Sequence, residues 1–251
     1  MKRLTTITLA AFLVMAVLLC GPLLMLASSQ VVLDRHWSSA DRSSAGLAPA
    51  ADEVHDAVVQ VYAARAYHWR GAFGVHTWIA TKAEGGGQYR TYQVMSWRRP
   101  TVVVSTGVPD RRWYGNAPKL LADYRGSRAQ AMLAAIDSAV AHYPASDRYR
   151  AWPGPNSNSF VAWVARQVPS LDVVLPNTAI GKDYLFDDVI APTTSRSGYQ
   201  FSIGGILGVT AGLAEGVELN LLGLSFGVDV LYPAFKIPGI GRLGVARPVA
   251  R

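Results

Sequence analysis

Two short segments of the sequence combine residue types that can carry out nucleophilic chemistry. The segment GVHTWI places His76 on a predicted strand, and PNSNSF places Ser157 at a predicted helix start. A helix dipole favours an anion at the helix N-terminus, and a histidine on a neighbouring strand can take the proton of a nucleophile. Free N–H groups at the helix start would hold an oxyanion. One of two competing hypotheses is therefore that Ser157 attacks an amide or ester, with His76 as its base.

Other residues near these segments are candidates for positioning and binding. Gln93, on the next predicted strand, is the best available partner for the second ring nitrogen of His76, because no carboxylate is an obvious alternative. The remaining candidates for a binding role flank Ser157 or lie in the loop GVPDRRWYG: Asn156, Asn158, Trp113 and Tyr114.

His76 and Ser157 also have purely structural interpretations. His76 could be a buried strand histidine bonded to the backbone. Ser157 could serve only as a helix N-cap, where serine and asparagine are favoured. Hydrogen-bond reach between the two side chains, about 2.6–3.2 Å, is what catalysis requires.

The elements that must position these residues are short, because 23 glycines and 14 prolines punctuate the chain. We predict a helix at 53–66 capped by Asp52 and an antiparallel meander of strands at 71–81, 89–97 and 101–106. Further helices are predicted at 118–124, 127–142 and 160–168.

The region 199–231 is rich in glycine and has two competing interpretations. Its apolar residues occupy alternate, odd-numbered positions, as on one face of a strand: Phe201, Ile203, Leu207, Val209, Ala211 and Leu213. Its glycines at 204, 208, 212 and 216 also follow the small-xxx-small pattern of packed membrane helices. We predict β-hairpins, with a membrane-associated helical hairpin as the alternative, because Glu215, Glu218 and Asp229 interrupt the stretch.

The N-terminus has the features of a membrane anchor. Lys2 and Arg3 precede an uncharged run from Leu4 to Leu33, and about 20 apolar residues suffice to span a bilayer. Positive charge before the run keeps the N-terminus in the cytoplasm, so we predict a single-pass protein of the cytoplasmic membrane with its bulk in the periplasm or outside the cell. Cleavage as a signal peptide near residues 27–29 is the alternative.

The predicted organisation is an anchor at 1–30, a linker at 31–52 and one extracytoplasmic domain at 53–251, glycine-rich from about residue 198. The formal charge is +7, but the basic residues are scattered, which argues against a nucleic-acid partner. Cys20 lies in the apolar run and is the single cysteine, so no thiolate or cysteine-based metal site is expected. We expect no cofactor or metal, and we expect Lys182-Asp183 and Glu215/Glu218 to be ion pairs or solvated charges.

The central region resembles the circularly permuted branch of the papain-like hydrolases, the superfamily of cell-wall peptidases and lecithin-retinol acyltransferase. In those proteins a strand carries a histidine and a later helix opens with Asn-Cys-x-x-Phe. Residues 156–160, NSNSF, fit that frame with Ser157 at the cysteine position, and His76 fits the histidine. The resemblance covers residues 71–168. Serine is a far weaker nucleophile than a thiolate, which favours a version of the fold that has lost its chemistry.

A second resemblance covers nearly the whole chain. The segments VHTWIA, WYG, YPASDRYRAWPGPNSNSF, LPNTAIGKD, EGVELNLLG and PAFKIPGIGRLG resemble a bacterial family known only as a domain of unknown function, number 3750. That family is similar in having an N-terminal membrane segment, and its name implies no activity.

The sequence therefore predicts an α+β fold with a central antiparallel sheet, flanking helices and a glycine-rich β-hairpin region at the C-terminus. Its predicted function is non-catalytic binding of an envelope partner, or of a peptide or lipid ligand, at the membrane. The alternative is a serine-based hydrolase or acyltransferase acting on cell-envelope amides or esters. The oligomeric state is left open.

Overall fold

The computed structural model describes residues 2–34 and 36–251. Within them the chain forms three α-helices and two antiparallel sheets, so the predicted α+β class is confirmed. Met1 of the predicted anchor and Arg35 of the predicted linker lie outside the described residues.

The first helix, α1 (Lys2–Ala27), is long and apolar enough from Thr5 to Ala27 to cross a membrane. Every residue from Thr5 to Val17 is exposed. The later part of α1 packs on the rest of the protein through one face, formed by the buried residues Leu18, Gly21, Pro22 and Met25. Their i, i+3, i+4, i+7 spacing is that of a single helical face.

The first sheet has five strands in the order β4-β3-β2-β1-β5. Their bounds are β1 (Val58–Arg65), β2 (Val75–Lys82), β3 (Arg90–Val94), β4 (Val102–Thr106) and β5 (Lys119–Arg125). The predicted meander is confirmed as β2, β3 and β4, which pair in sequence order. A short 3-10 helix, His68–Ala72, precedes β2.

Two predicted helices of this region are wrong. The segment 53–66 contains β1, a central strand buried on both faces, so it shows a continuous apolar run and no alternation. The segment 118–124 is β5, which pairs with β1 instead of winding into a helix. In both cases the pairing partner is distant in sequence, and local spacing could not reveal it.

Two helices, α2 (Gly126–Ala141) and α3 (Ser157–Gln167), cover one face of the five-stranded sheet. Both match the predictions at 127–142 and 160–168. Their buried side chains, including Met132, Ile136 and Phe160, join the inward residues of the sheet in the main core. The opposite face carries a smaller cluster around Tyr62 and Trp78.

Residues of the predicted linker run beside this smaller cluster. The Asp110 carboxylate accepts hydrogen bonds from the Ser44 hydroxyl at 2.8 Å and from the Leu47 amide at 2.6 Å. The Ala45 amide donates to the Asp110 carbonyl. Because several groups of residues 44–48 bond one buried carboxylate, this stretch follows a defined path over the sheet.

The second sheet is a seven-stranded antiparallel meander in which neighbours in sequence are neighbours in space. Its strands are β6 (Ile190–Pro192), β7 (Gly198–Ile203), β8 (Leu207–Gly212), β9 (Gly216–Leu221), β10 (Leu224–Asp229), β11 (Ala234–Ile237) and β12 (Gly241–Gly244). The predicted β-hairpins of 199–231 are confirmed, and the helical alternative is wrong. The four glycines at that spacing have different structural reasons. A side chain at Gly208 or Gly216 would collide with the backbone of a neighbouring strand, whereas Gly204 lies in a turn with a positive φ.

Candidate functional site

The residues at the start of α3 hold the helix against β2 and the segment 176–184. Asn156 is the N-cap, and its side chain accepts hydrogen bonds from the Asn158 and Ser159 amides at 2.9 and 3.1 Å. The Asn156 and Asn158 side-chain amides both donate to the Ile180 carbonyl, at 2.9 and 2.8 Å. The N-cap is therefore Asn156 and not Ser157. The asparagines at the start of α3 also attach the helix to the segment 176–184, a structural role that the sequence did not predict.

Residue Asn158 also ties α3 to β2. Its side-chain amide donates to the Val75 carbonyl at 3.0 Å, and its oxygen accepts from the Thr77 hydroxyl at 3.0 Å. The Thr77 hydroxyl also lies 3.2 Å from the Ser157 carbonyl oxygen. The side of β2 that faces the start of α3 is thus the side that carries Thr77.

The side chain of His76 lies on the opposite face of β2, because adjacent residues of a strand point to opposite faces. Its ring stacks on Trp113 with centroids 3.7 Å apart and planes at 8°. It also stacks on Trp78, with centroids 5.8 Å apart. Both tryptophans belong to the smaller cluster of that face. Because α3 packs on the other face, the sheet separates His76 from Ser157.

The structure therefore does not bring the predicted nucleophile and base together. It does bring His76 and Gln93 together, with His76 Nε2 and Gln93 Oε1 3.2 Å apart. Trp113 and Tyr114 contact each other at 5.0 Å on the His76 side, whereas Asn156 and Asn158 lie on the α3 side. The predicted site residues thus form two separate groups.

Residue His76 is a buried histidine held neutral by its surroundings. Burial, opposed by the Gln93 hydrogen bond and reinforced by the positive charge of Arg111, lowers its pKa to about 3. A neutral ring that stacks on Trp113 and bonds an amide is suited to packing. A base that accepts a proton near neutral pH would need a much higher pKa.

A cavity of about 600 Å³ lies between the two sheets, within the size range of ligand pockets. Its walls come from β1, β5, the segment 172–178, β11–β12 and the C-terminal tail. The tail closes one side, since Ala250 bridges to Ala122 beside β5. Ile240 lines the cavity and also packs with Met25 of α1, so the cavity begins where the membrane-competent helix ends.

Positive charge predominates in the cavity wall. The cationic lining residues are Arg65, Lys119, Lys236, Arg242 and Arg247, against Asp172 as the lining carboxylate. Arg242 and Arg247 pair with Asp229 at 3.1 and 2.7 Å.

Two of these cations have no anionic partner in the part of the chain that the structure describes. Arg65 instead donates to the carbonyls of Gly71, Gly239 and Ile240. Among residues 2–34 and 36–251, neither Arg65 nor Lys119 has a carboxylate within ion-pair distance. The cavity therefore combines apolar surface with unneutralised positive charge.

The inner face of the seven-stranded sheet carries a buried ion cluster that shares Lys236 with the cavity wall. Lys182 pairs with Asp183 at 2.9 Å and with Glu218 at 2.8 Å, and Glu218 also pairs with Lys236. Of the two alternatives predicted for Lys182-Asp183, an ion pair or solvated charges, the structure has the ion pair. Burial opposes ionisation of Glu218, but the two lysines outweigh it and hold its pKa below the usual value. The cluster neutralises itself and joins the sheet to the segment 176–184.

The cavity residues were not predicted from the sequence. Arg65, Lys119, Arg242 and Arg247 are far apart in the chain and have no motif spacing. Two sequence features could have pointed to the cavity: the excess of basic residues over the whole chain, and the asparagine in the segment LPNTAIGKD. That asparagine, Asn177, lines the cavity and donates to the carbonyls of Ser225 and Ile237 at 3.0 and 3.1 Å.

Comparison with known proteins places the chain in a family. A family model described as “Protein of unknown function (DUF3750)” matches residues 56–184, which contain the five-stranded sheet, α2 and α3 but neither α1 nor the seven-stranded sheet. No curated protein and no solved structure matches the chain. Since the family model covers more than half of the sequence, the chain belongs to the DUF3750 family of proteins of unknown function.

Proposed function

We propose that this protein is a membrane-anchored, non-catalytic binding protein of the cell envelope. The observation that carries the proposal is the cavity of about 600 Å³ between the sheets, with unpaired cations in its wall and α1 beside it. Apolar lining residues such as Val75, Leu120 and Leu175 supply the rest of its surface. These properties suit a ligand with an anionic group and an apolar portion, a class that includes envelope lipids and peptides.

The proposed location follows from the N-terminal segment. Lys2 and Arg3 lie at the start of α1, before its apolar stretch from Thr5, and positive residues before a first span are retained in the cytoplasm. The domain would then lie on the outer side of the cytoplasmic membrane. Its core would be a papain-like fold whose catalytic positions have become structural, with Asn156 and Asn158 joining α3 to the sheet.

The serine hydrolase is the weaker alternative. It requires Ser157 and His76 in hydrogen-bond reach, and the sheet lies between them. It also requires a base that titrates near neutral pH, whereas burial holds the pKa of His76 at about 3.

The test uses Lys119, which is exposed at the cavity wall. The purified full chain in detergent would be titrated with dihexanoyl phosphatidylglycerol and with zwitterionic dihexanoyl phosphatidylcholine by calorimetry. We expect the anionic lipid to bind more tightly, and Lys119→Glu to weaken its binding about tenfold or more, since a charged hydrogen bond contributes about 1.5–3 kcal/mol. The matched control is Arg98→Glu, an exposed charge reversal away from the cavity. Equal effects of the two variants, or no binding of either lipid, would contradict the proposal.

A further inference from the structure

The seven-stranded sheet has an inverted distribution of polarity. On its inner face the strand residues are polar and buried, including Gln200, Thr210, Glu218, Asn220 and Lys236. On its outer face, paired across the strands, every residue is apolar, aromatic or glycine. We call this surface the outer apolar face, and it comprises Ile190, Pro192, Tyr199, Phe201, Ile203, Leu207, Val209, Ala211, Val217, Leu219, Leu221, Leu224, Phe226, Val228, Phe235, Ile237, Gly241 and Leu243.

The outer apolar face is large and mostly open, with Leu224 and Gly241 as its buried members. Tyr199 and Phe235 are each 68% exposed and Val217 is 50% exposed. Seven strands spaced about 4.8 Å apart give a width of roughly 29 Å, and six residues extend about 20 Å along a strand. Monomeric soluble proteins rarely expose contiguous apolar patches of more than a few hundred Å². A surface of this size needs an apolar partner.

The anchor helix indicates what that partner is. The free part of α1, Thr5 to Val17, is about thirteen residues and therefore about 20 Å long. The hydrocarbon core of a bilayer is about 30 Å thick. A membrane-spanning α1 must therefore place residues after Val17 in the hydrocarbon as well, and those residues are the ones packed on the domain.

This stretch contacts the domain at the 3-10 helix His68–Ala72 and at the turn between β11 and β12. A side chain on Gly21 would collide with the Pro238 carbonyl, and one on Gly239 would collide with Pro22. The turn at 238–240 is thus packed on α1 at a depth that lies within the bilayer. The two strands that leave this turn carry Phe235 and Leu243 on the outer apolar face.

We propose that the outer apolar face lies against the lipid acyl chains of the leaflet from which α1 emerges. The inverted polarity follows from this environment: acyl chains solvate the apolar side, and the protein satisfies the polar side internally. The seven-stranded sheet is then a second membrane contact, continuous with α1, and it holds the cavity at the membrane surface. The proposal requires that α1 stays in the membrane and does not depend on what the cavity binds.

The test uses the full chain reconstituted in phosphatidylcholine–phosphatidylglycerol vesicles. In a Cys20→Ser background, Val209→Cys and Phe235→Cys would each be labelled with an environment-sensitive fluorophore. The matched control is Val104→Cys on β4 of the other sheet, because Val104 is 45% exposed and Val209 is 46% exposed. Quenching by nitroxide-labelled lipids would be compared with quenching by aqueous iodide.

We expect labels at 209 and 235 to lose most of their emission to the nitroxide lipids and to resist iodide, and the label at 104 to show the reverse. Two results would overturn the proposal. Labels at 209 and 235 that respond to iodide as the control does would show a face in water. Labels protected from both quenchers, with protection that grows with the protein-to-lipid ratio, would show a face covered by a second copy.

Discussion

At the scale of single residues, His76 illustrates how a histidine in a suggestive sequence context becomes a packing residue. Its ring stacks on Trp113, lies beside Trp78 and bonds Gln93, so the neutral form is part of the folded structure. Protonation would place a charge in that buried cluster near Arg111.

This environment predicts a pH-dependent stability. The folded-state pKa is lowered from 6.5 to about 3, so between these values the unfolded chain binds a proton that the folded chain does not. The contribution of His76 is therefore complete above pH 6.5 and is lost as the pH falls toward 3. We expect roughly 2.5 kcal/mol of the unfolding free energy to disappear between pH 7 and pH 4.5.

The measurement is the urea-unfolding free energy in detergent at both pH values. His76→Phe, which keeps an aromatic ring in the stack, should remove this part of the pH dependence. His142→Phe, at an exposed histidine, should leave it unchanged. If the unfolding free energy of His76→Phe changed with pH as much as that of the wild type, the buried neutral ring would not be the source of the pH dependence.

The polar residues at the start of α3 make a second prediction at this scale. Asn156→Ala should destabilise the protein by roughly 3 kcal/mol, because it removes the cap and leaves buried amide and carbonyl groups unpaired. Ser157→Ala should cost less than about 1 kcal/mol, since the Ser157 hydroxyl forms no side-chain hydrogen bond among the described residues. Thermal unfolding of the two variants checks this order. A larger loss for Ser157→Ala would show that its hydroxyl holds the fold in a way the hydrogen bonds do not reveal.

At the scale of elements, the seven-stranded sheet depends on the ion cluster of its inner face. Glu218 of β9 is the anion between Lys182 and Lys236, and all three are buried. Removing one charge from such a group leaves uncompensated charge in the interior, which costs about 3–5 kcal/mol.

We therefore expect Glu218→Gln to lower the thermal unfolding temperature strongly. The control Glu84→Gln removes a charge from an exposed side chain and should have little effect, as is usual for surface ion pairs. If Glu218→Gln and Glu84→Gln had the same thermal unfolding temperature, the cluster would not contribute to the stability of the sheet.

At the scale of the whole molecule, our proposal places α1 and the outer apolar face on one apolar side of the protein, and α1 contacts the turn between β11 and β12. The predicted orientation places that side in the outer leaflet and the five-stranded sheet beyond it. The cavity, bounded by Ile240 near α1, then opens at the level of the lipid headgroups.

This orientation predicts the behaviour of fusions. A reporter joined after Arg251 should be active only if it functions outside the cytoplasm, and the same reporter joined before Met1 should be inactive there. The protein should also remain with the membranes after a high-salt wash. An active cytoplasmic reporter at the C-terminus would reverse the orientation, and release by salt would show that α1 does not span.

The sequence alone determined the features that depend on local order. The uncharged run before Leu33 predicts α1, the alternate apolar residues from Phe201 to Leu213 predict strands, and the spacing at 127–142 predicts α2. These patterns are properties of neighbouring residues, and the structure has each of them. The sequence also indicated the DUF3750 family through motifs that are continuous in the chain.

Only the tertiary structure decided what depends on pairing between distant residues. Pairing with β2 and β5 made 58–65 a central strand. The sequence pattern did not predict it, because a strand buried on both faces does not alternate apolar and polar residues. The tertiary structure separated His76 from Ser157, because the contact between Thr77 and Asn158 holds α3 on the face of β2 opposite His76, and neither motif shows in the sequence that these two residues meet. It also brought Arg65, Lys119 and Arg247 to one cavity. Side-chain direction and long-range contact are three-dimensional properties, and a linear pattern does not contain them.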